Sequence, residues 1–165
     1  MIPQHLADKM NLIAEYVRDH GRVALDVLDS EGDEPDYTYS IGFSVSVAQP
    51  EALVFALPQE VRQHVIHALW HMMSNEGLVL EDGLRIGGLL DGFDCIAREV
   101  SDRDIIETYL AAAVGYYDAQ HGKPVDLFFQ IVWPDAESGL FPWDADCPEE
   151  VIHYQPALYS VSLNS

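Results

Sequence analysis

His64, His67 and His71 stand three and four residues apart in a stretch with helical apolar spacing. At about 100° per residue they fall in one narrow arc beside the apolar stripe, where imidazoles could hold zinc or nickel. The carboxylate of a His-Glu-x-x-His pattern is missing, so any further ligand would have to come from elsewhere in the chain. A solvated helix face accounts for the three more simply, and no metal or other cofactor is expected.

A second group is small and polar. Thr38, Ser40, Gly42 and Ser44 alternate with Tyr37, Tyr39, Ile41 and Phe43. Period-two alternation puts hydroxyls and a glycine on one face of a strand and aromatic bulk on the other. A glycine there marks close approach, either by a ligand or by packed backbone. Further on, Gln130, Trp133, Asp135, Trp143 and Asp144 surround Pro134 and Pro142. They offer an amide, two aromatic walls and two carboxylates. Tight packing of the sheet on a helix accounts for the small face more simply; as the alternative to an interaction domain, the two groups would frame the pocket of a small-molecule-binding protein or an enzyme between residues 37–44 and 133–143. The prolines and aromatics also predict a clamp that folds a long C-terminal loop back onto the sheet.

Other candidates are weaker. Gly83, Gly87 and Gly88 lack the Gly-Lys-Ser/Thr ending of a phosphate loop. Cys95 and Cys147 are far apart, form no Cys-x-x-Cys pair and, with His153, match no nucleophile motif. A disulfide framework is not expected, and no catalytic residue is assigned. Asp29, Glu31, Asp33, Glu34 and Asp36 crowd one turn, but its glycine comes too early for a calcium loop and the distal Glu is absent. They are expected to be solvated or to form a docking patch for a basic partner.

Charge supports that second role. Against 28 Asp plus Glu the 165-residue chain has only 8 Lys plus Arg, a formal charge of −20. Residues 124–165 contain no Lys or Arg. Such a field repels nucleic-acid phosphates and anionic lipid and attracts cations. Nucleic-acid and membrane partners are therefore not expected. No apolar run approaches the roughly 20 residues of a membrane span, and the N-terminus has no secretion-signal pattern. A cytoplasmic location is the expectation.

The elements that must position these residues can be placed by periodicity. Leu6, Met10, Ile13 and Val17 form a helical stripe over residues 5–20, ending at Gly21. Strands are expected at 22–28, 37–43, 52–57, 93–100 and 126–133. Pro58 opens a helix running to about 75, and Ser101 with Asp104 opens another that stops at Gly122. Residues 83–92 are expected to be irregular, and the chain after Pro134 mostly loop. With 48% apolar and 22% charged residues, this is one globular domain over residues 1–165. The expected class is α+β: a mainly antiparallel sheet packed with about three helices and a long proline-rich C-terminal loop region.

Several motifs occur together in order. Tyr37-Thr38-Tyr39-Ser40-Ile41-Gly42-Phe43 precedes Pro50-Glu51-Ala52-Leu53. Gln130-Ile131-Val132-Trp133-Pro134-Asp135, Gly139-Leu140-Phe141-Pro142-Trp143 and Gln155-Pro156-Ala157-Leu158 follow. This series, spanning about residues 22–158, resembles a bacterial family catalogued as domain of unknown function 4262. Phe43 departs from it, since Leu is more usual there. The resemblance implies a small bacterial domain and brings no catalytic residues with it. Charge and the missing catalytic motif favour a non-enzymatic interaction domain of the immunity or antitoxin type, engaging a basic protein such as a toxin.

Overall fold

The structure is a computed structural model describing residues 4–29 and 31–160. Residues 1–3 and the Leu6 side chain, on which expectations above also fall, lie outside that description. Strand β1 (Val23–Val27) pairs antiparallel with β2 (Tyr37–Ile41), and β2 pairs antiparallel with β3 (Glu51–Phe55). β4 (Arg85–Leu90) and β5 (Phe93–Val100) form a hairpin, and β6 (Phe128–Val132) joins the two halves, antiparallel to β5 and parallel to β3. One six-stranded sheet results, in the order β1-β2-β3-β6-β5-β4. The class is α+β and the sheet is mostly antiparallel, as the short links between strands require.

Both faces are covered. α1 (Gln4–His20), α4 (Arg103–Tyr109) and α5 (Ala111–His121) pack on the face carrying Tyr37, Tyr39, Ile41, Leu53, Phe55 and Phe128. α3 (Gln59–Glu76) packs on the other face, against Ala52, Val54, Ala97, Phe129 and Ile131. Alternation along β3 and β6 divides the side chains between these two cores. Two short helices, α2 (Phe43–Ser46) and α6 (Glu149–Tyr154), complete the described elements.

Local chemistry explains where the elements stop and where expectation and structure part. α3 ends at Gly77, whose φ of 73° is the left-handed stop. The strand expected through Phe43 ends at Ile41. Gly42 at φ 113° turns the chain, and Phe43 enters α2, fully buried in the α3-side core rather than beside Tyr39. The stretch 83–92, expected to be irregular, holds strand β4 at its centre, since its glycines admit a bulge between Ile86 and Leu90 without ending the pairing. The helix opened near Ser101 is capped one residue later by Asp102, whose carboxylate accepts the Ile105 N–H, and it breaks at Leu110 into α4 and α5. From residue 135 to residue 160 the chain is loop except for α6.

Candidate functional site

A cleft of about 760 Å³ lies on the α3 side. Its floor and walls are apolar: Leu57 from the turn before α3, Val61 from the first turns of α3, Leu89 and Phe93 from the β4–β5 hairpin, Trp133, and Val151 with Tyr154 from α6. Glu60, Asp91, Asp135 and Glu150 also line it, with His64, and no Lys or Arg does. Its upper corner is a strained turn, with Ala56 and Leu57 at φ 55° and 50°. Buried Arg62 holds that turn by donating to Ala56 O at 3.1 Å and Leu57 O at 2.7 Å. Arg62 Nε donates to Thr38 Oγ1 at 2.9 Å, and Thr38 in turn donates to Asp26. Thr38 therefore braces the cleft from behind.

The tail supplies the opposite wall. Trp133 Nε1 donates to Phe55 O at 2.9 Å. Gln155 brackets the same residue, accepting from Trp133 N–H at 2.9 Å and donating to Trp133 O at 2.8 Å, like one rung of a ladder. Asp135 closes a turn by accepting from Ser138 N–H at 2.9 Å and the Ser138 hydroxyl at 2.8 Å. Those bonds, the backbone one first, hold its carboxyl below the usual carboxylate range, so Asp135 keeps its charge. Asp144 performs the same service for Phe141 N–H at 2.8 Å.

A different constellation sits at the end of β2. Register places Tyr39 opposite Leu53, so Glu51 at the head of β3 lies against the Gly42 turn. Its carboxylate is 2% exposed and accepts four bonds: Ser40 Oγ at 2.6 Å, Phe43 N–H at 3.2 Å, Gly42 N–H at 3.1 Å, and the Tyr117 hydroxyl. Burial pushes Glu51 up to about 7, while the donors from Ser40, Tyr117, Gly42 and Phe43 pull the other way. Burial also raises the Tyr117 phenol, and Glu51 beside it raises it further. A second cleft, of about 420 Å³, opens beside Glu51, Tyr117, Ser44 and Lys123. Proton transfer would suit a carboxyl poised near neutrality. Its two oxygens are each engaged by two donors, however, and Tyr117 O also accepts from Gly42 N–H. The group ties β2, α2, β3 and α5 together and leaves little for a substrate to engage.

The predicted residues separate accordingly. Trp133 and Asp135 line the large cleft. Trp143 lies in the core on the opposite face, stacked at 5.2 Å on Phe141 and over the guanidinium of buried Arg98 at 4.8 Å. The pocket expected between residues 37–44 and 133–143 is therefore divided by the sheet. Gln130 donates to Pro156 O at 2.9 Å and accepts from Leu158 N–H at 3.0 Å, so it fastens the tail. Gly42 is a backbone approach: a Cβ there would stand 2.8 Å from Gly21 O. His67 accepts from Arg22 Nε at 3.2 Å, His64 faces the large cleft and His71 lies edge-on to Trp70. Among the described residues no group of three metal-ligating side chains converges. Asp29 caps its own turn through Glu34 N–H and Glu31 N–H, while Glu31, Asp33 and Glu34 are exposed and Asp36 is half-buried, accepting from Asp29 N–H. Both cysteines are free and buried.

Sequence reasoning missed Glu51, Tyr117, Arg62 and Arg98, and the cleft acids Glu60, Asp91 and Glu150. Glu51 had one signal, a lone acid heading the apolar run Ala52-Leu53-Val54-Phe55. The cleft acids had none, because they come from three separate segments.

Architecture thus defines the protein as an α+β domain with one six-stranded sheet layered between helices, a C-terminal tail completing one core and walling the main cleft. The family model Domain of unknown function (DUF4262) matches residues 16–148, and the chain belongs to that family. No curated protein and no solved structure matches it. Among the described residues no helix is long and apolar enough to cross a membrane.

Proposed function

We propose that this is a non-enzymatic interaction domain that engages a basic protein, as an immunity or antitoxin protein engages its toxin. The observation that carries the reading is an acidic surface with almost no compensating cations. Of the 8 Lys and Arg, Arg62 and Arg98 are buried. Arg18, Arg85 and Arg103 are spent on Asp19, Asp94 and Glu107, and Arg22 lies over Trp70. Long-range attraction of a basic partner follows, strongest at low ionic strength. The saturated Glu51 cluster and the absence of an assigned nucleophile favour binding over catalysis. The test is co-purification with the products of neighbouring genes, followed by affinity measurement across a salt series. A basic partner whose affinity falls steeply with salt is expected. Acidic partners alone, or binding indifferent to salt, would overturn the reading.

A further inference from the structure

We propose that the cleft between α3, the β4–β5 hairpin and α6 seats an apolar side chain flanked by Lys or Arg on a segment of the basic partner, an inference that rests on the function proposed above. Its volume of about 760 Å³ falls within the range of built ligand sites, roughly 300–1,000 Å³, and leaves room for an apolar side chain. The interior is aromatic and aliphatic, whereas the polar groups at its edge are of one sign. Among the described residues, ion pairs use Asp19, Asp26, Asp82, Asp94 and Glu107, so Glu60, Asp91, Asp135 and Glu150 are left uncompensated. A neutral apolar ligand would waste that rim, and an anion would be repelled by it.

The geometry also favours a polypeptide over a free amine. Tyr154 stands in the wall yet is 49% exposed, so the apolar surface continues outward beyond the cavity. Glu60 rides on α3 and Glu150 on α6, so their backbones are ordered before a partner arrives, and the Asp135 carboxylate is itself fixed by Ser138. Such preorganisation lowers the ordering cost of binding.

The probe is a short peptide alternating lysine with phenylalanine and leucine. Its counterpart with glutamate in place of lysine, and phenethylamine as a free aromatic amine, complete the set. Titration followed by amide chemical shifts and calorimetry should place the lysine peptide at residues 57–64, 89–93, 133–136 and 150–154. The variant Glu60→Gln/Asp91→Asn/Glu150→Gln should weaken it at least tenfold. The variant Glu31→Gln/Asp33→Asn/Glu34→Gln, with the same change in net charge, should bind as the wild type does. If the triple cleft variant fails to fold, Glu150→Gln alone should still weaken binding measurably. Shifts confined to residues 29–36, with loss in the loop variant only, would overturn the cleft while sustaining a basic partner. Equal binding of the glutamate peptide would overturn both. Phenethylamine binding as tightly as the lysine peptide would overturn the polypeptide assignment.

Discussion

Replacing Glu51 with Gln should change the pH dependence of stability more than stability itself. The folded protein holds this carboxyl at about 7 against an ordinary value of 4.5. A raised folded-state value means that the native state binds the proton more tightly than the unfolded chain. The contribution is therefore fully present below about pH 4.5 and is lost as pH rises through about 7. Integrating the two titrations, the loss between about pH 5 and about pH 8 is on the order of 2–3 kcal/mol. That is a large share of the roughly 5–15 kcal/mol that keeps a domain folded. Asp19, Asp29 and Asp135, held below the carboxylate range by their hydrogen bonds, titrate at lower pH and leave this window clear. His67 does fall within it. Burial and the neighbouring Arg22 lower its affinity for the proton, so it favours the folded state as pH rises.

The difference between wild type and Glu51→Gln at each pH removes the His67 contribution, which both proteins share. Urea unfolding at several pH values should show the wild type losing stability relative to the variant by roughly 2–3 kcal/mol as pH climbs from about 5 to about 8. A difference constant across that range would refute the argument. A difference of opposite slope would mean that the four donors outweigh desolvation and that Glu51 is held ionised.

Gly42→Ala should destabilise by about 2–4 kcal/mol, since it combines a φ of 113° with a Cβ placed 2.8 Å from Gly21 O and 3.0 Å from a Val17 methyl. Gly32→Ala, at φ 74° with nothing within 4 Å, should cost only about 1 kcal/mol, and urea midpoints will separate the two. Gln155→Leu should cost about 1–3 kcal/mol by leaving the Trp133 N–H and carbonyl unpaired, with faster amide exchange across residues 155–160 as its signature.

What was legible in the sequence follows from what periodicity can carry. α1 and α3 each present an apolar stripe, and β6 is apolar except for Gln130, so these elements could be placed directly. β4 could not, because Gly87 and Gly88 remove the side chains whose alternation would announce a strand. The hydroxyls of Thr38 and Ser40 were visible as one small polar face, yet their partners Arg62 and Glu51 sit 24 and 11 residues away. A face that reads as an empty ligand wall is filled by charges from the next helix and the next strand. Contacts of that range depend on sheet order, which no local pattern encodes.

Trp133 and Trp143 show the same limit with a functional consequence. Ten residues apart and flanked by prolines, they invite a reading as two walls of one pocket. The chain instead carries them to opposite faces of the sheet, Trp133 to the α3-side core and Trp143 to the core shared with α1 and α5. Gln130 and Gln155 then fasten the tail that follows, and Arg98 between Trp143 and Tyr159 anchors its end, donating to Ser160 O at 3.2 Å. One segment thereby completes one core and, through α6, builds a wall of the acidic cleft on the other side. Loosening the Gln155 rung should consequently weaken binding at the cleft as well as stability, although Gln155 does not line it. A tail that served only as packing would show the loss of stability without the loss of binding.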